Sequence, residues 1–299
     1  MPRPVEIVAH RGNGFGARAN TLAGVREVVA CGQTGLEVDV HLTADGAVVV
    51  HHDHYLEHAF TRRADTHAPA AETAAIERLD LATLRAHEIV ETTDAAGTPR
   101  TWAPVPLLSE ALAMWKQAQP GRRMFVELKT SPEYEETRTD PEALAGAVVN
   151  LIEEHGMTVQ TVLLAFDWRG LEHARSLNPV IARYHLTFPM LEALPPLPAR
   201  VRDMLNRTRR DKSLWAGSHD PDKLGCTIAA AVAQAGGAGW SAYHEDWTEV
   251  AVAEAHARGL GVSAWTVNDA QQMARLIEMG VDTIVTDAID TALRFAARA

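Results

Sequence analysis

Short strand-like runs alternate with helical patterns along most of this chain, and that alternation leaves few architectures open. Strand character falls at residues 6–10, 35–43, 124–129, 162–166, 181–186, 239–243, 261–267 and 283–286. Helical patterns fall between most of them, at 21–33, 141–155, 168–177, 249–258 and 270–278. Ala44-Asp45-Gly46 is a turn that leads into a returning strand over 47–52. Setting that return aside, eight strand units remain, most followed by a helix, which favours a parallel α/β sheet closed into a (β/α)8 barrel. The 299 residues suit that reading, since such barrels typically run to about 250. A doubly wound open sheet is the structural alternative. Gly12, Gly14 and Gly16 follow the first strand but lack the G-x-G-x-x-G spacing.

Two stretches interrupt the alternation. Residues 53 to about 105 separate the hairpin from the next helix, with helical, Ala-rich and Gly/Pro-marked pieces. Residues 187–238 carry Pro195-Pro196-Leu197-Pro198 and the basic run Arg207 to Lys212, which reads as a solvated helix end. Both stretches read as insertions on one domain spanning 1–299. A net charge of −11 and a pI near 5.7 argue against a nucleic-acid partner and disfavour adsorption to anionic membrane. Cys31 and Cys226 are too far apart in sequence for a metal-type cluster, and Cys31, in an apolar helical run, reads as a buried thiol. The N-terminus moves directly into a strand without an apolar signal region, and no span of 18 apolar residues occurs, so a cytoplasmic protein with no integral membrane association is expected.

On the strand 35–43, alternation puts Glu37, Asp39 and His41 on one face and Leu36, Val38, Val40 and Leu42 on the other. Two adjacent carboxylates repel unless a cation or proton intervenes, which makes a metal plausible. Solvent-facing charges on an edge strand would give the same local pattern. Glu127 and Lys129 again share a face of a strand. His10-Arg11 follows the first strand and His51-His52-Asp53 follows the return, and periodicity does not choose between the last two histidines. Carboxylates for a divalent ion, histidines for protons near neutral pH, and Arg and Lys for anionic oxygens together form a set able to cut a phosphoric ester. In a barrel, the C-terminal strand ends carrying these residues converge on one mouth.

These residues resemble a known family. His10-Arg11-Gly12, Asn20-Thr21-Leu22, Glu37-Val38-Asp39-Val40, Leu42-Thr43-Ala44-Asp45-Gly46 and His52-Asp53 look like the N-terminal signature of glycerophosphodiester phosphodiesterases. The similarity continues in order through Val126-Glu127-Leu128-Lys129, Phe166-Asp167, Trp265-Thr266-Val267-Asn268, Gly280-Val281-Asp282 and Thr286-Asp287. The resemblance implies a (β/α)8 TIM barrel with a small insertion after the second strand. It implies metal ligands at Glu37, Asp39 and Glu127 for Mg2+ or Ca2+, and paired acid/base histidines at His10 and His52. Arg11 and Lys129 correspond to positions near the phosphate, and Trp265 to an aromatic position that either contacts substrate or packs. The implied partner is a small-molecule glycerophosphodiester, hydrolysed to glycerol 3-phosphate and an alcohol.

The chain departs from the family pattern in one place. Arg18-Ala19-Asn20-Thr21 stands where the family usually has Pro-Glu-Asn-Thr, so an acidic side chain is missing. Asn20 and Thr21 still supply capping groups for the following helix, and Arg18 could add positive charge near the substrate. Two alternatives to the soluble glycerophosphodiesterase reading remain: a lysophospholipase D-type enzyme acting on lipids, and a catalytically impaired binding barrel. The second would require lost ligands or histidines, yet all the implied ones are present.

Overall fold

The computed structural model describes residues 5–13, 16–56, 58–69, 74–117, 121–130, 139–190 and 199–296. In chain order the elements are β1 (Glu6–Ala9), α1 (Leu22–Cys31), β2 (Gly35–Leu42), β3 (Val48–Val50), β4 (Thr61–Arg63), α2 (Leu81–Arg85), β5 (His87–Thr93), β6 (Pro99–Pro104) and α3 (Leu108–Trp115). There follow β7 (Met124–Leu128), α4 (Pro141–Glu154), β8 (Thr161–Ala165), α5 (Trp168–Leu177), β9 (Ala182–Leu186), α6 (Ala199–Arg210), α7 (Ser213–Ala216), α8 (Pro221–Leu224) and α9 (Ile228–Gln234). The chain ends with β10 (Gly239–Tyr243), α10 (Glu249–Ala257), β11 (Gly261–Trp265), α11 (Ala270–Glu278), β12 (Thr283–Thr286) and α12 (Ile289–Ala296). The parallel strands β1, β2 and β7 to β12 alternate with helices, and the fold is of the (β/α)8-barrel class, with a small insertion after the second strand.

Residues form two compact units, 9–161 and 162–299 with 1–8. In the first, β2 runs parallel to β7 and antiparallel to β3, with Asp39 opposite Glu127 and Val40 opposite both Leu128 and Val50. The insertion is a three-stranded antiparallel sheet in the order β4-β5-β6, which the sequence reading did not anticipate. The strand signal was present in Ile89, Val90, Thr92 and Thr93, followed by the turn around Asp94 and Gly97. It was obscured by Pro99 and Pro104 at the two ends of β6. Val49, Leu56, Ile76, Leu84, Ile89 and Val105 form an apolar cluster that anchors the insertion on β3.

In the second unit, β8 to β12 pair parallel in sequence order and β1 lies beside β12. β8 and β12 read as mostly apolar runs, while β9, β10 and β11 also bury Arg183, His185, Ser241 and Ser263. Trp168, Trp240 and Trp247 are buried, and their indole N–H groups donate to Leu186 O, Thr187 Oγ1 and Ser263 O at 2.9, 3.1 and 3.1 Å. The basic run Arg207 to Lys212 lies at the end of α6, as expected for a helix terminus, while Pro195 to Pro198 lie outside the described residues. Cys31 is not the buried thiol expected: it is the last residue of α1 and half-buried, with Ala23, Gly24, Val25 and Val28 forming the buried side of that helix.

Candidate active site

The carboxylates on β2 are not edge charges. The strand is paired on both sides, and Glu37, Asp39 and His41 retain only 3%, 1% and 0% of their accessible surface. The parallel register brings Glu127 beside Asp39, and one oxygen from each of Glu37, Asp39 and Glu127 lies within 4.8 Å of the others.

Cations reach this cluster from two directions. Lys129 Nζ donates to Glu127 Oε1 at 2.8 Å and lies 3.4 Å from Asp39 Oδ1. Arg11 sits in a tight turn, His10–Gly12, with a left-handed φ of 57°. That backbone turns the Arg11 N–H toward Glu37 Oε2, 2.9 Å away, while Arg11 Nε lies 3.1 Å from Asp39 Oδ2. Gly12 follows at φ 69°, and a Cβ added there would meet the Gly24 carbonyl carbon at 3.2 Å. The turn is thus held against α1 by close backbone contact.

Asn20, expected as a capping residue, does something else. Its Nδ2 donates to Asp39 Oδ2 at 2.8 Å and its Oδ1 accepts the Asp39 N–H at 3.1 Å. Thr21 caps α1, accepting the Gly24 N–H at 3.2 Å, and Glu91 Oε1 accepts the Ala23 N–H at 3.0 Å. Asn20 takes a left-handed φ of 57°, a region that Asn tolerates better than most residues.

The electrostatics separate the two carboxylates on β2. Burial pushes the Glu37 carboxyl up, Asp39 and Glu127 push it further, and Arg11 opposes them without prevailing. Burial also opposes ionisation of Asp39, but Lys129, His52, Arg11 and the Asn20 hydrogen bond outweigh it and hold Asp39 well below the usual carboxylate range. Burial likewise works against charge on Lys129 and Arg11, yet the carboxylates raise both above their ordinary values.

Of the two adjacent histidines, His51 is packed away: burial brings it down to about 4. His52 is lowered as well, by burial and by Lys129, with its hydrogen bond to Asp53 and the charge of Asp39 in opposition. Its Nδ1 lies 2.7 Å from Asp53 Oδ1, an arrangement that places the proton on Nδ1 and leaves Nε2 as an acceptor. The sequence motif alone did not show this His52–Asp53 contact. His10 opens the turn that carries Arg11.

Asp39 Oδ1 is buried and accepts no hydrogen bond among the described residues, with Lys129 Nζ 3.4 Å away. Three converging carboxylates with an unsatisfied buried oxygen fit a hard, oxygen-seeking cation. A second convergence, His41, His54 and Glu77, lies outside this cluster and was not foreseen from sequence.

A sequence profile described as the Glycerophosphoryl diester phosphodiesterase family matches residues 10–291. The chain belongs to this family. A Mycobacterium tuberculosis relative named "Probable glycerophosphodiester phosphodiesterase 2" is 27% identical over 286 residues, covering 95% of this chain and 87% of the relative. A family member of solved structure from Silicibacter pomeroyi shares 29% identity with a TM-score of 0.78, covering 100% of this chain and 95% of that one. An Oleispira antarctica phosphodiesterase, solved in complex with the product sn-glycerol-3-phosphate, shares the fold at 22% identity and a TM-score of 0.67, covering 98% and 97%. As a glycerophosphodiester phosphodiesterase family protein, the chain is a phosphoric diester hydrolase.

The family's usual acidic position is Ala19 here, an exposed residue. Arg18 beside it turns to the insertion: its guanidinium carbon stands 3.6 Å from the centre of the Phe60 ring. The later family motifs are held by local structure. Asp167 caps α5 and pairs with Arg169 at 2.6 Å. Asn268 Oδ1 accepts from Thr286 Oγ1 and from the Asp287 N–H at 3.1 and 2.9 Å. Trp265 belongs to an aromatic group with Phe166 and Tyr243, at ring distances of 5.6 and 5.8 Å, and its buried indole nitrogen has no hydrogen-bond partner among the described residues. No helix among the described residues is long and apolar enough to cross a membrane.

Proposed function

We propose that this chain hydrolyses glycerophosphodiesters to glycerol 3-phosphate and an alcohol, with a divalent ion held by Glu37, Asp39 and Glu127 and with His10 and His52 moving protons. The observation that carries this reading is the unsatisfied Asp39 Oδ1 in a buried cluster of three carboxylates, flanked by Arg11 and Lys129. Oxygen-only ligands suit Mg2+ or Ca2+. When bound, such an ion supplies positive charge that stabilises the negative charge developing on the phosphoryl group.

The side chains account for the rest of the chemistry. His52, neutral at pH 7 and oriented by Asp53, presents Nε2 to accept a proton from the attacking hydroxyl or to return one to the leaving alcohol. His10 serves the complementary transfer. Arg11 and Lys129 are fixed cations at the same cluster and stabilise the phosphoryl oxygens as charge grows on them. The substrate class is a small, water-soluble diester, in keeping with the product named for the Oleispira antarctica protein.

Purified protein assayed on glycerophosphocholine, glycerophosphoethanolamine and a lysophospholipid, with EDTA or with Mg2+ or Ca2+ restored, tests this reading. The expected result is turnover of the two soluble diesters that EDTA abolishes and either ion restores. Turnover of the lysophospholipid alone would replace the substrate class, and turnover unaffected by EDTA would remove the metal.

A further inference from the structure

We propose that His41, His54 and Glu77 form a second metal site, distinct from the three-carboxylate cluster, that takes a transition-metal ion of the Zn2+ type. Glu77 Oε1 is approached by both imidazoles, at 2.8 Å from His41 Nδ1 and 2.5 Å from His54 Nδ1. The two rings meet edge to face with centroids 5.0 Å apart. His41 is fully buried, the Glu77 side chain is 5% exposed and that of His54 is 24% exposed, so the group has a dry back and one open side.

Three features point to a cation rather than to an ordinary hydrogen-bond network. First, His41 faces oxygen from both ring nitrogens: Nε2 lies 3.1 Å from the His52 carbonyl while Nδ1 faces Glu77. A neutral imidazole has one N–H. A cation taking the place of the proton at Nδ1 would be held by that nitrogen and the Glu77 carboxylate together, with the Nε2–H kept on the His52 carbonyl. A backbone carbonyl behind the far nitrogen is also the usual support of a metal-bound histidine. Second, Glu77 Oε2 is buried and has no hydrogen-bond partner among the described residues, so this carboxylate has coordinating capacity left over. Third, two imidazoles and a carboxylate are the ligand types of open zinc sites, whose fourth position is left to water or substrate. The partial exposure of His54 provides that opening.

The two convergences differ in the ions they select. Oxygen-only ligands at Glu37, Asp39 and Glu127 favour Mg2+ and Ca2+, whereas imidazoles favour Zn2+, Co2+, Ni2+ or Cu2+. Bond lengths of about 2.0–2.2 Å to each ligand require the present ligand separations to open by several tenths of an ångström. His54 lies in the irregular segment between β3 and β4, where such a shift is small in cost. The ligands come from β2, from that segment and from the turn at Glu77 in the insertion. A bound ion therefore ties the insertion to β2, with the His52 backbone attached through His41.

The test uses the full-length protein, stripped with EDTA and dialysed against Co2+ in a large excess of Mg2+. One Co2+ per chain is expected, with the visible absorption of a nitrogen-ligated, low-coordinate ion. His54→Ala and Glu77→Gln should each weaken its binding by at least about 10-fold, while Glu127→Gln leaves it in place. Absence of that absorption from the wild-type protein would overturn the proposal without recourse to any variant. So would wild-type Co2+ affinity in a folded His54→Ala protein, or Co2+ binding that is lost in Glu127→Gln.

Discussion

Strands β2 and β9 both bury polar side chains, but they satisfy them in opposite ways. On β2, Asp39 is met by Arg11, Lys129 and Asn20, so its charge is retained in the interior by opposite charge and by directed hydrogen bonds, while burial and the neighbouring carboxylates push Glu37 up. On β9, the Arg183 guanidinium donates to the carbonyls of Ile181, Pro179 and Gly236, and no carboxylate among the described residues accepts from it. Two residues on, His185 is fully buried, neither ring nitrogen has a hydrogen-bond partner among the described residues, and the ring packs edge-on to Trp168 at 4.7 Å. Burial, then Arg183 and His219, bring His185 down to about 3, so it is a neutral ring serving as core. A buried charge surrounded by groups that keep it charged suggests chemistry, whereas a buried titratable group left neutral suggests packing.

The sharpest way to break this contrast is to delete one histidine from each region. His52→Ala should lower turnover by ~10²–10⁴-fold while the thermal midpoint stays close to wild type, and near-normal turnover would remove His52 from the chemistry. Asn20→Ala comes next. It deletes two bonds to a buried carboxylate and places alanine at φ 57°, which together should cost roughly 2–4 kcal/mol in chemical denaturation. A loss below about 0.5 kcal/mol, the range of an ordinary surface change, would show that Asp39 does not depend on Asn20.

His185 gives a pH-dependent test of the second region. Its folded value, about 3, lies below the ordinary 6.5, so the unfolded chain binds more protons between these limits, and stability falls as pH drops below 6.5. Between pH 7.5 and 4.5 this one group should remove about 2–3 kcal/mol. In His185→Leu the fall should be smaller by that amount, and an unchanged pH slope would mean that the imidazole is solvated. The smallest effect concerns the departure from the family pattern. Arg18→Gln should cost only ~0.5–1 kcal/mol, the value of a cation–π contact with Phe60, and should leave KM unchanged. A raised KM would return Arg18 to the substrate.

How much of this was legible in the sequence follows from the range of the interactions. Strands such as 239–243 and 283–286 and helices such as 168–177 and 270–278 were read at their observed limits, because hydrophobic period and local caps define them. The shared face of Glu37 and Asp39 was likewise a local matter. That these residues are buried rather than solvated was not, since it depends on β3 and β7 flanking β2. The Asn20 clamp spans 19 residues of chain, and the approach of Glu77 to His41 spans 36, with no periodicity to announce either. The insertion sheet was missed because proline and polar residues weakened its strand pattern.

The contact of Gly12 with Gly24 has a further consequence. In most exposed helix interiors alanine is preferred to glycine by about 1 kcal/mol, yet a methyl group on Gly24 would stand 2.8 Å from the Gly12 carbonyl oxygen, with the Arg18 carbonyl at 3.4 Å. Such a methyl would act as a shim between the helix and the turn bearing His10 and Arg11. A substitution that improves the helix would therefore press on that turn and on the Arg11 contacts with Glu37 and Asp39, an alignment that rests on a side chain that neither glycine has.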